Sequence, residues 1–109
     1  MNYRLNDFAA AEVRDIVKHY SHKFRGLSIG FIEELARVLT LLAANPYIGQ
    51  TIGEQYRHLS LQRFPYFVIY QVEAPVNRVS VISVCHQRRH PDHWHNGVQE
   101  EAAIYKLAA

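Results

Sequence analysis

Two apolar runs joined by a short turn constrain this chain more than any other feature. Residues 64–72, from Phe64 to Val72, are apolar or aromatic at odd and even positions alike, the pattern of a central strand covered on both faces. A second run, Val79 to Cys85, follows a stretch of Ala74, Pro75, Val76 and Asn77, whose proline and asparagine favour a turn. Ahead of both, Tyr56, His58 and Ser60 alternate with Arg57, Leu59 and Leu61. Connections this short leave no room for a crossover, so the three runs predict an antiparallel meander.

The first half of the chain has a different period. Tyr3, Arg4 and Leu5 alternate as a short strand does, and Asn6 or Asp7 then offers a side-chain oxygen to cap a helix. Apolar residues at 9, 13, 16, 17, 20 and 24 fit a 3.6-residue repeat until Gly26 interrupts it. Ser28 is the expected cap of a second helix, with Phe31, Leu35, Val38, Leu39 and Leu42 as its stripe and Asn45-Pro46 as its stop. Two helices so closely joined predict an antiparallel hairpin. Residues 46–53, rich in Gly and Pro, read as loop. The predicted fold is α+β: an N-terminal strand, then a helical hairpin packed on an antiparallel sheet with a three-strand C-terminal meander.

At 109 residues the chain is about one domain, assigned to residues 1–97, with 98–109 as a C-terminal extension. Val98, Ala102 and Tyr105 suggest a short helix there, and residues 106–109 resemble a vector-encoded linker. No apolar run approaches the roughly 18 residues of a membrane span, and residues 1–7 lack a secretory apolar segment. A lone cysteine, Cys85, has no internal partner for a disulfide. The expected location is the cytoplasm. The net charge of +2 is unevenly spread: residues 55–97 carry arginines 57, 63, 78, 88 and 89 against only Glu73 and Asp92. That half favours an anionic partner, without the strongly basic balance of a dedicated DNA-binding domain.

The second apolar run ends in a burst of polar chemistry: His86, Gln87, Arg88, Arg89, His90, Pro91, Asp92, His93 and Trp94. A strand that ends this way delivers binding groups to a sheet edge. His86, His90, Asp92 and His93 invite a zinc reading, but their spacing fits no standard signature and Pro91 would break an aligning helix. No metal or cofactor is expected. Cys85, next to His86 but preceded by apolar strand, is expected to be inert.

The ordered set of residues 56–70, residues 81–89 with Pro91 and Trp94, the two helical stretches and the Pro46-x-x-Gly49 that follows them is similar to the RelE/ParE superfamily of bacterial toxins. The similarity covers roughly residues 3–95, and the ParE-type, or plasmid-stabilisation, branch is the better match. The resemblance implies a toxin of a type II toxin–antitoxin module, neutralised by a cognate antitoxin in a hetero-oligomer. It also implies one of two mechanisms. RelE-like members cleave mRNA in the ribosome, whereas ParE-like members inhibit DNA gyrase without breaking bonds.

For RNA cleavage, His86 is the candidate acid or base, because imidazole exchanges protons near neutrality. Arg57 and Arg63, with Arg88 and Arg89, are candidate phosphate clamps, and Tyr66 or Tyr70 a stacking or proton-donating group. No further residues complete a ribonuclease constellation, and cross-strand register decides whether these groups share a face. The preferred reading is therefore a non-enzymatic gyrase inhibitor, with Arg88, Arg89 and Trp94 as target contacts. The alternatives are a ribonuclease using His86, Arg57 and Arg63, an inactive binding module, and a metal-dependent enzyme.

Overall fold

A computed structural model describes residues 1–88. Strand β1 (Asn2–Leu5) leads into helices α1 (Asp7–Lys23) and α2 (Arg25–Ala44). Strands β2 (Gln50–Ile52), β3 (Tyr56–Ser60), β4 (Tyr66–Glu73) and β5 (Arg78–His86) follow. They form one five-stranded sheet in the order β1-β5-β4-β3-β2. Strands β2 to β5 are antiparallel neighbours, as the short connections require. The first strand closes the sheet by pairing parallel to the last, Asn2 beside Arg78 and Leu5 beside Val81. The connection between them contains both helices, which is the long excursion a parallel pair needs.

Both helices lie on one face. Phe31, Leu35, Val38, Leu39 and Leu42 of α2 are buried, with Ala9 and Ile16 of α1, and they pack on Tyr66, Val68, Tyr70, Val79, Val81 and Val84. Full burial of such a side chain is worth about 1.5–3 kcal/mol, so this layer is the main source of stability. Alternation puts Phe67 and Ile69 on the opposite face. The β4–β5 register jumps from Ser83 opposite Ile69 to Val81 opposite Tyr70, so Ile82 is an extra residue in β5. This bulge lets Val81 and Val84 both reach the helix-side core, with Ile82 and Cys85 in a separate cluster.

The α1 N-terminus is capped by Asn6, whose Oδ1 accepts a 2.8 Å bond from the Ala9 N–H. Asn6 is buried, so water does not replace that bond readily. Asn6→Ala is expected to cost about 1 kcal/mol, read as a lower urea midpoint; a loss of a few tenths would assign the cap no weight.

Three local expectations are corrected. Ser28 does not cap α2: the helix begins at Arg25, after the single extended residue Phe24. The Phe24 N–H ends α1 on the Tyr20 carbonyl, while its own carbonyl accepts the Leu27 N–H. Ser28 instead donates back to the Arg25 carbonyl from within the helix. Phe24 itself, placed on the α1 stripe by its spacing, is two-thirds exposed, because the stripe ends where the helix does. Finally, residues 46–53 are not all loop. Gln50–Ile52 pairs with β3 as an edge strand, and Gly53 takes a positive φ of 62° in the turn that follows.

Candidate functional site

The end of β5 is built from the core outward. His86 is its last residue and stands opposite Tyr66, their rings edge to face at 5.3 Å. Tyr66 belongs to an aromatic group with Tyr20, Phe31 and Phe64, in which neighbouring centroids lie 5.4–6.3 Å apart. The imidazole is thus positioned by rings from α1, α2 and the loop before β4. Its Nδ1 accepts the Arg88 N–H at 3.0 Å, which leaves Nε2 to carry the proton of the neutral ring. The Gln87 N–H donates to the Pro65 carbonyl at 2.9 Å, so the strand exit is tied to the entrance of β4.

β1 covers β5 only as far as Val81, and beyond that point no strand among the described residues lies beside the edge of β5. Glu12 of α1 takes the place of one. Its Oε1 accepts the Val84 N–H at 2.9 Å and the Ser83 hydroxyl at 2.8 Å. A groove of about 580 Å³ runs between α1 and this edge, lined by Phe8, Glu12, Asp15, His19, Tyr66 and His86 among others. Apolar walls, two carboxylates and a sheet edge suit an extended peptide with cationic side chains better than a nucleic-acid backbone.

Arg57 does not converge on this place. Arg57 lies opposite Tyr70 on β3, whereas His86 is opposite Tyr66. Four residues along β4 separate them by roughly 13 Å at ~3.3 Å per residue, and a further strand lies between. Arg57 also has a structural task. Its Nη1 donates to the carbonyls of Tyr47 and Gly49, and its guanidinium lies 5.2 Å from the centre of the Tyr47 ring.

Arg63 is in the loop before β4, nearer in chain terms to His86. Its backbone N–H is held by Glu34, while its exposed side chain runs beside Gly30 of α2. Tyr66 and Tyr70 are buried, so neither offers a face to a base. Arg88 is exposed at the strand exit. Arg89 and Trp94 lie outside the described residues, as do His90, Asp92 and His93 of the zinc reading. Among the described residues no cluster of histidine, cysteine and carboxylates has the makings of a metal site, and no helix is long and apolar enough to cross a membrane.

Two carboxylates that organise the molecule escape a reading by motif. Glu12 closes the β5 edge, and Glu34 binds the loop before β4. Both stand at a helical phase that the apolar stripe claims: Glu12 between Ala9 and Ile16, Glu34 between Phe31 and Val38. An acid inside a buried stripe is the available signal, because it must bring its own partners.

A helical hairpin on one face of a mixed sheet, with the first strand parallel to the last and a polar strand exit, defines the class of small toxins to which RelE and ParE belong. Within that class the chain belongs to the ParE family: the sequence model described as "ParE toxin of type II toxin-antitoxin system, parDE" matches residues 3–91. A chain of the solved "Chromosomal ParDE TA system from P. aeruginosa" has the same fold, with a TM-score of 0.67 at 19% identity. The match covers 79% of this chain and 95% of that one. No curated protein matches the sequence.

Proposed function

We propose that this ParE-type toxin acts by binding DNA gyrase in the cytoplasm, and that a cognate antitoxin neutralises it in a hetero-oligomer. The observation that supports binding over RNA cleavage is the separation of His86 from Arg57. Cleavage needs a base, an acid and a phosphate clamp within hydrogen-bond reach of one phosphodiester. Here Arg57 lies two strands from His86 and is engaged by two backbone carbonyls. The target contacts in this reading are His86 and Arg88, joined by Arg89 and Trp94. The P. aeruginosa relative comes from a toxin–antitoxin pair, and the acidic groove between α1 and the β5 edge supports a peptide-like antitoxin segment for this chain as well.

Two assays on purified protein test the mechanism. Gyrase supercoiling is expected to be inhibited, and mRNA in translating ribosomes to remain intact. Replacing Arg88 and Arg89 by Ala is expected to weaken gyrase inhibition about tenfold or more, the loss of one or two charged contacts. If His86→Ala abolished growth inhibition and mRNA cleavage together, the toxin would be a ribonuclease.

A further inference from the structure

The outer face of α2 leaves apolar groups in solvent. Ile29 and Ile32 are about half exposed, and Phe24, just before the helix, is two-thirds exposed. The Phe24 ring lies over Gly26, where a Cβ would sit 2.7 Å from its Cε1. At 3.6 residues per turn, Arg25, Ile29, Ile32, Glu33 and Ala36 share one stripe about 100° wide, and all five are exposed.

Exposed isoleucines alone carry no inference; the charges around them do. Arg25 and Glu33 stand four residues before and four after Ile29. Among the described residues neither has an ion-pair partner, whereas Arg37 of the same helix is paired with Glu34. A stripe with a cation four residues before its centre and an anion four after it is its own complement. Turned end over end about Ile29, a second copy of α2 sets Glu33 against Arg25 at both ends and Ile29 against Ile29. Ile32, three residues after the centre, then meets Gly26, three before it. The glycine admits a close approach there, and the Phe24 ring supplies an apolar wall. A parallel pair would oppose Arg25 to Arg25 and Glu33 to Glu33, so charge selects the antiparallel arrangement. Such self-complementarity is what a two-fold interface between identical chains requires.

We propose that this face of α2 is a homodimer interface, in which two copies of the helix pair antiparallel about a two-fold axis at Ile29. The isoleucines and Phe24 supply the apolar burial, while the Arg25–Glu33 pairs, exposed and individually weak, fix the orientation. None of these residues lines the groove between α1 and β5 or belongs to the strand exit at His86 and Arg88. The dimer therefore presents two grooves and two exits in one particle, a bivalent ligand for any partner that has two copies of its site. This holds whether the target is gyrase or mRNA.

Sedimentation velocity on the purified full-length protein tests the interface. A reversible monomer–dimer equilibrium is expected, with a midpoint at roughly micromolar concentration because the apolar area is small. Arg25→Glu and Glu33→Arg each oppose like charges twice, and each is expected to raise the dimer dissociation constant about tenfold or more. The double variant restores opposite charges at both ends and is expected to return to near the parent value. Mixed one to one, the two single variants are expected to form a heterodimer at a concentration where each alone is monomeric. Both positions are exposed, so the fold is expected to survive, and unchanged circular dichroism checks this.

A protein that is monomeric at every concentration tested would overturn the proposal. So would a dimer indifferent to both substitutions, because it would use another surface, and so would single variants that fail to associate when mixed. If Ile29→Glu left the oligomeric state unchanged and weakened antitoxin binding instead, the face would belong to the antitoxin and not to a second copy.

Discussion

Gly49→Ala is expected to cost about 3 kcal/mol or more, a large part of the 5–15 kcal/mol that holds a domain of this size together. Gly49 is buried where the chain leaves α2 and enters β2, and it has no space for a side chain. A methyl group there would sit 2.5 Å from the Tyr70 hydroxyl and 2.8 Å from the His58 carbonyl oxygen. The second of these is backbone and cannot swing away. The Gly49 N–H donates to the Tyr70 hydroxyl at 2.9 Å, and its carbonyl accepts from Arg57 at 2.8 Å. Displacing the loop therefore breaks both bonds as well.

Burial pushes the Tyr70 phenol to a higher pKa than usual, outweighing the Gly49 N–H bond and the Arg57 charge that favour the phenolate. The neutral hydroxyl is thus the form whose oxygen accepts the hydrogen bond from the Gly49 N–H. Tyr70→Phe, which leaves that N–H unpaired, is expected to cost about 1–3 kcal/mol. Urea unfolding measures both. A Gly49→Ala protein within half a kcal/mol of the parent, on the scale of an ordinary surface substitution, would mean that the loop yields freely and the close approach is not a constraint.

The other large effect is expected at Glu34. This side chain, 5% exposed, reaches from α2 across to the loop before β4. Its Oε2 accepts the N–H groups of Gln62 at 2.8 Å and Arg63 at 2.9 Å, and its Oε1 accepts two bonds from Arg37. Glu34→Ala leaves two loop N–H groups without their acceptor; Gln62 and Arg63 are exposed residues that water reaches, so a total loss of about 1–3 kcal/mol is expected. Glu34→Gln keeps one acceptor oxygen but gives up the charge, and is expected to fall between Ala and the parent.

The bond from the Arg63 N–H, more than any other influence, holds the Glu34 carboxyl below its ordinary pKa of 4.5. Desolvation opposes it, while Arg37 and the Gln62 N–H assist. A carboxyl whose pKa falls on folding stabilises the folded state above its unfolded pKa, and that contribution is lost as pH drops through the folded value. The advantage of the parent over Glu34→Gln should therefore be full at pH 7 and shrink progressively below about pH 4. Urea midpoints across that range measure it. A gap between the two proteins that does not change with pH would deny the carboxylate its role.

The contrast between Glu34 and the stripe around it shows why sequence and structure agree in some places and part in others. The two helices and the meander are legible because their cause is periodic: Phe31, Leu35, Val38 and Leu42 repeat with the helix, and residues 79–85 are too apolar for an exposed segment. The parallel pairing of β1 with β5 has no such signature, since it depends on segments more than seventy positions apart in the chain. β2 is hidden by the glycines that bracket it. Within the site, His86 and Arg88 could be placed at the strand exit because a long apolar strand aims them there. Arg57 could not be placed, because its partners are the carbonyls of Tyr47 and Gly49, and every residue type offers a carbonyl.

The late position of β5 in the chain has a consequence during synthesis. β5 lies between β1 and β4 and carries Val79, Val81 and Val84 into the helix-side core. Until it emerges from the ribosome, β1 has no partner and the helical hairpin has only part of its sheet to rest on. At 5–20 residues per second, a nascent chain spends seconds in that state. The polar exit at His86 and Arg88 is the last part of the described fold to be translated. A truncated product that stops before β5 therefore has neither a closed core nor the strand exit at His86 and Arg88.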